Sequence, residues 1–147
     1  MTDFPCEILT PYRRFFAGRA ESVTFSTHDG QVEVLAAHES FVAPVRIGQL
    51  KLAIGGGGGV RRAAVTEGFV RVKEGRVEVF VDAAEWSEEI DLKRAEQALE
   101  RASGRLATEA AEWRRVSSRM AIARARNRIA VSKDENPEPP PYETAAH

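Results

Sequence analysis

Val77-Glu78-Val79-Phe80-Val81-Asp82 and, eight residues further on, Ile90-Asp91-Leu92-Lys93-Arg94-Ala95 sit on either side of a change in periodicity. In the first, Val77, Val79 and Val81 alternate with Glu78, Phe80 and Asp82, the two-residue period of a strand. In the second, Leu92 starts a series continued by Ala95, Leu99, Ala102 and Leu106, spaced 3, 4, 3 and 4 apart. That is a narrow apolar stripe on a helix. The pattern switches near Ala83, so the chain divides into a β-rich part before that point and a helical part after it.

Upstream, short strands and turns follow one another. Phe4 to Leu9 is apolar and stops at Thr10-Pro11. Val23, Phe25 and Thr27 alternate with Thr24 and Ser26, and Asp29-Gly30 is a turn signal. Val32, Val34 and Leu35 begin another strand. Phe41 to Val45 carries Pro44, which fits an edge strand or a bend. Leu50, Leu52 and Ile54 alternate with Lys51 and Ala53. Gly55 to Gly59 lack the lysine and hydroxyl residue that a phosphate-cradling loop needs, so they predict a flexible hairpin loop. Val60 to Val65 and Phe69 to Val72 complete the set, with Gly68 at one turn and Glu74-Gly75 at the next. Many short strands at this spacing predict a sandwich or barrel.

Downstream, Ser87 precedes a helix start, and Gly104 weakens the first helix near its end. A second helix is expected from about Thr108 to Val131, with Trp113, Val116, Met120, Ala123 and Ile129 on its apolar face. Both stripes are thin and rich in alanine, which suits a hairpin or a partner-bound pair of marginal stability. The expected division is a β-domain over 1–85, a two-helix arm over 86–133 and a tail over 134–147. The tail holds four acids, no lysine or arginine, and Pro137, Pro139, Pro140 and Pro141, a composition that predicts disorder.

The formal net charge of −1 hides a local excess. From Glu112 to Lys133, seven basic residues (Arg114, Arg115, Arg119, Arg124, Arg126, Arg128 and Lys133) face one acid, a net of +6. Such a helix is either a solvated face or a surface for an acidic protein, a phosphate group or nucleic acid. Nucleic acid is the weakest of these, because the β-domain has no aromatic stacking platform with basic neighbours. His28, His38 and His147 lie apart and show no metal-ligand spacing. No nucleophile elbow, phosphate loop or zinc pattern occurs. The single cysteine, Cys6, rules out an internal disulfide and fits a small apolar strand residue in a reducing compartment. Trp86 and Trp113 read as packing residues. No apolar run reaches the ~18 residues of a membrane span, and the first residues lack a signal layout. An enzyme is not expected. A binding module gripping an acidic partner or nucleic acid through the basic helix remains an alternative.

Several motifs together carry a family resemblance. They are Ile8-Leu9-Thr10-Pro11, Asp29 to His38, Thr66-Glu67-Gly68-Phe69-Val70-Arg71-Val72, Val81 to Glu85, and Ile90 to Ala95. In that order and spacing, residues 4 to about 131 resemble the epsilon subunit of F-type ATP synthases, called delta in mitochondria. Ala36-Ala37 stands where the family has Pro-Gly, and Glu33 where it has a glycine; His38 is kept. The resemblance implies a β-sandwich of about ten strands followed by a C-terminal antiparallel helical hairpin. It implies a non-catalytic rotor subunit that docks on the gamma subunit and the ring of c subunits, with His38 and Glu39 as the ring contact. It further implies an arm that restrains ATP hydrolysis when extended and meets the catalytic alpha and beta subunits through its basic second helix. The location implied is the cytoplasmic side of a bacterial cell membrane, held peripherally. Some bacterial members bind ATP in the folded hairpin through Ile-Asp-x-x-Arg-Ala and two second-helix arginines. Here Ile90, Asp91, Arg94 and Ala95 match that motif, Arg124 and Arg128 match the pair, and Glu85 matches a further contact. The resemblance therefore implies no required cofactor, with ATP as a regulatory ligand.

Overall fold

The computed structural model describes residues 2–134. The expected acidic tail lies outside the described residues except for Asp134. Nine strands come first: β1 (Phe4–Leu9), β2 (Arg14–Thr27), β3 (Gly30–Leu35), β4 (Phe41–Val45), β5 (Gly48–Ile54), β6 (Val60–Val65), β7 (Gly68–Lys73), β8 (Arg76–Val81) and β9 (Ala84–Trp86). Two helices follow, α1 (Leu92–Thr108) and α2 (Glu112–Ser132). The strands pair in the order β4-β7-β8-β1-β2-β5-β6-β9, with β3 also on β2.

β2 is the joint of this sheet. Its first half pairs with β1 and its second half with β3 and β5, and the register on β5 shifts between Ala20 and Ser22. A bulge of this kind lets one strand turn from one layer into the next. The sheet thus folds over itself as a β-sandwich, and a single core of inward residues fills it. Ile8, Val23, Phe25, Val34, Leu50, Leu52, Val70 and Val79 are all fully buried within it. The alternation seen in the sequence supplies these residues directly. The sequence places a strand from Val23 only, whereas β2 begins at Arg14. Among the described residues there are nine strands, in keeping with the expected sandwich of about ten, and β2, at 14 residues, serves both layers.

Special backbone sits where small residues allow it. Gly30 has φ 113°, and Thr27 Oγ1 closes its turn by donating to the Gly30 carbonyl at 2.8 Å. A Cβ at Gly68 would lie inside the backbone carbonyl of Phe80, so β7 and β8 meet there only because the residue is glycine. The run Gly55 to Gly59 links β5 to β6, closed by the Ile54 N–H donating to the Gly59 carbonyl at 2.8 Å. Pro44 lies in β4, at one end of the sheet order, where a missing donor is tolerated.

The two helices pack chiefly on each other. The α1 stripe is as expected: Ala95 and Ala102 are buried, and Leu92, Leu99 and Leu106 are half-buried. Gly104 does not interrupt α1, which runs on to Thr108. The face of α2 differs from expectation. Ser118, Ile122 and Ala125 are its buried stripe, while Trp113 is 70% exposed and Val116 48%. Two constraints set this rotation. Near its end α2 is fixed on the β-domain by Asn127 and Val131. At its start Arg115 Nη1 donates to the carbonyls of Leu106 and Glu109 at 3.1 and 3.0 Å, locking the turn between the helices. The small residues that let the helices approach then face α1. Trp113 is left outside, with the Arg114 guanidinium 4.9 Å from its ring centre.

Candidate functional site

The junction between β-domain and arm gathers the residues of interest. β9 ends on Trp86, which stacks on Phe15 with ring centres 4.3 Å apart. The Arg61 guanidinium covers the other side of the indole at 3.6 Å and reaches Glu88 at 2.6 Å. That hydrogen bond holds the Glu88 carboxyl below its ordinary range. A short 3-10 turn, Ser87–Glu89, carries the chain to Ile90. Ile90 is buried against Ala64 and Val131, and so touches both β6 and the end of α2. Asp91 is the N-cap of α1, its carboxylate accepting from the Arg94 backbone N–H at 3.1 Å. This satisfies one of the free donors at the helix start.

The residues matched by the nucleotide-binding resemblance divide into two groups. Glu85 and Arg128 touch: Arg128 Nε meets Oε2 at 2.8 Å and Nη2 meets Oε1 at 3.3 Å, a two-point pairing. Arg124, one helical turn before, is exposed and lies 4.0 Å from Glu67. On the other side, Ile90 and Asp91 serve packing and capping, and the Arg94 side chain is exposed. His38 and Glu39 lie exposed in the loop between β3 and β4. The His38 ring rests against Phe41 at 5.1 Å, and the His38 backbone N–H donates to the Leu35 carbonyl.

Much of the basic charge on α2 is compensated. Arg114 faces Glu109 at 3.7 Å, and Arg115 and Arg119 both face Glu112, at 3.9 and 3.4 Å. The Ala111 N–H and, after it, the charge of Arg114 hold the Glu109 carboxyl low. Two features of the site were not read from the sequence. One is Asn127, buried at 6% exposure, whose Nδ2 donates to the carbonyls of Gly48 at 2.9 Å and Val65 at 3.5 Å. The only sequence signal is an uncharged amide inside an arginine run. The other is an open groove on the β-domain lined by Leu9, Pro11, Phe69 and Phe80, where the two phenyl rings stack at 4.8 Å. Among the described residues no cluster of His, Cys, Asp and Glu could hold a metal ion, and no helix is long and apolar enough to cross a membrane.

The chain matches known proteins over both of its parts. Residues 3–87 match the model of the ATP synthase Delta/Epsilon chain beta-sandwich domain. Residues 88–133 match that of the ATP synthase Delta/Epsilon chain long alpha-helix domain. The chain is 40% identical to the ATP synthase epsilon chain of Ruminiclostridium cellulolyticum over 132 residues, covering 90% of this chain and 97% of the relative. It is 37% identical to that of Caldicellulosiruptor bescii over 138 residues, covering 94% and 99%. Its fold is similar to a chain in the cryo-EM structure of the Euglena gracilis mitochondrial ATP synthase. There the TM-score is 0.72 and the identity 24%, over 84% of this chain and 77% of that one. With both domain models matched in order and close relatives aligned over nearly their full length, the chain belongs to the Delta/Epsilon chain family of ATP synthase, as an epsilon chain.

Proposed function

We propose that this chain is the non-catalytic central-stalk subunit of an F-type ATP synthase, which helps couple ion flow to rotation and restrains ATP hydrolysis through its helical arm. The observation that carries this is the arm's attachment. Two helices packed chiefly on each other are seated on the β-domain by a small contact near Ile90 and the last turns of α2. An element held by so few groups can occupy two positions that differ by only a few kcal/mol.

The partners follow from the same reading. The relatives named above are epsilon chains, and similar folds occur in structures of the F1/c-ring and of the central stalk with its c-ring. The β-domain would dock on the gamma subunit and the c-ring, with His38 and Glu39 offered to the ring. Its open groove of Leu9, Pro11, Phe69 and Phe80 is the kind of apolar surface a partner subunit covers. α2 would meet the alpha and beta subunits through its exposed arginines, Arg114, Arg124 and Arg126. Attachment to the membrane would be peripheral, through the complex.

ATP is proposed as a regulatory ligand of the seated arm. Arg94 and Arg124 are exposed cations suited to phosphate oxygens, and Arg128 would join them by exchanging Glu85 for phosphate. Adding the chain to a purified ATP synthase stripped of its epsilon subunit should restore coupling or slow hydrolysis. No effect on a related complex would overturn the reading. Titration of the chain with ATP, against an Arg94→Ala variant, tests the ligand separately; equal affinities would remove the motif assignment.

A further inference from the structure

The contact that seats α2 is mostly polar. Its apolar portion is a cluster of three buried side chains, Ala64, Ile90 and Val131. Beside it Asn127 reads the backbone of two strands at one point. Gly48 and Val65, whose carbonyls it engages, are register partners at the end of the β5–β6 ladder. The strands contribute no side chain to this bond. The next residue, Arg128, is gripped at two nitrogens by Glu85 of β9. The Oδ1 atom of Asn127 is buried with no hydrogen-bond partner.

These features have opposing effects. The Asn127 N–H donors find carbonyl partners only when the arm is seated, which favours seating. The desolvated Oδ1 forfeits the water it would bind when the arm is away, which opposes it. The Glu85–Arg128 pair is partly exposed, so solvent weakens it. Gains and losses of this kind oppose one another, so the seating rests on their difference.

We propose that Asn127 and the Glu85–Arg128 pair form a latch that seats the arm on the β-domain without any nucleotide. The Glu85 carboxylate sits where an anionic ligand would need to bind Arg128. Such a ligand is therefore an alternative occupant of the latch and not a requirement for its closure. The inference rests on the preceding reading only in treating the arm as movable.

Hydrogen exchange of the full chain, without nucleotide, tests it. Asn127→Asp keeps the shape, removes both donors and sets a carboxylate against two carbonyl oxygens. It should speed exchange over residues 118–132 by about tenfold or more and leave the β1, β2 and β5 core amides unchanged. Glu85→Arg and Arg128→Glu should each speed the same amides, and the double exchange should restore most of the protection. Unchanged exchange over 118–132 in Asn127→Asp overturns the proposal, as does a charge swap with no rescue. Should Asn127→Asp also loosen the core, the swap series decides alone. The outcome does not depend on any effect on ATP hydrolysis, so a failure of the rotor reading and a failure of the latch would be seen separately.

Discussion

Ala37 has φ 64°, a left-handed conformation that an L side chain adopts at a cost of roughly 1–2 kcal/mol. It lies in the loop between β3 and β4, where the family pattern carries glycine. The backbone here takes a conformation that suits glycine, and the residue that takes it is alanine. Ala37→Gly should stabilise the chain by about 0.5–1 kcal/mol, part of the strain relieved being offset by the freedom glycine gains when unfolded. Chemical denaturation checks this through the midpoint. The sequence showed that Pro-Gly was missing there, but nothing in Ala36-Ala37 shows that the backbone keeps its turn. Cys6 is a second case. Burial, and then the charge of Glu7, push its thiol up to about 12. An unfolded thiol ionises near 9, so between that pH and about 12 the folded chain binds the extra proton. Stability from this group is intact below pH 9 and falls as pH rises beyond it. A thiol reagent should leave the native chain unlabelled at pH 8 and label it fully in denaturant. The residue's burial was legible, because it lies in an apolar run that alternates inward as Phe4, Cys6 and Ile8.

Helices show a sharper boundary between what the sequence discloses and what it does not. The stripe of α1 was legible because its inward positions repeat without conflict. Its start was legible too, since Ser87, Ile90 and Asp91 mark a helix entry. Asp91 shows that one residue can satisfy two descriptions, as a nucleotide motif position and as an N-cap. Asp91→Ala should cost about 1 kcal/mol of arm stability, and Asp91→Asn should recover most of it, because both Asn and Asp accept from the helix N–H groups. Helicity lost in a thermal melt would measure it, with nucleotide absent. The face of α2 was not legible. Its large apolar residues are outnumbered by arginines and alanines, and its rotation is set by Arg115 at one end and Asn127 at the other. Both act by donating to backbone carbonyls, Arg115 to those of the preceding turn and Asn127 to two strands more than sixty residues earlier. Hydrophobic periodicity cannot register such bonds, and by itself it places Trp113 on the packed face.

At the scale of the whole molecule, the division into a β-domain and an arm was plain from the change in period. The crossing of β2 between layers was not, because a strand that turns at a bulge looks like two shorter ones. The two tryptophans now report on the two parts. Trp86 is 5% exposed and Trp113 70%. Acrylamide should quench two distinct populations of indole emission, and Trp113→Phe should leave only the resistant one. Uniform quenching of both would contradict this arrangement.

Trp86 also sets a measure of length. Clamped between Phe15 and the Arg61 guanidinium, it is the last point at which the chain is fixed to the sandwich by ring stacking before α1. Five residues, Ser87 to Asp91, separate it from the helix, and fully drawn out they span about 17 Å. α1 adds about 26 Å and α2 about 32 Å. With the hairpin intact, nothing beyond roughly 45–50 Å of Trp86 can be touched by the two helices; with them opened end to end and the three residues between them drawn out, the limit moves to about 85 Å. The indole is thus a pivot with a known radius. Any position later found for the arm on a larger assembly must fall inside one of these two spheres, and which one it needs tells whether the Arg115 clamp between the helices has been broken.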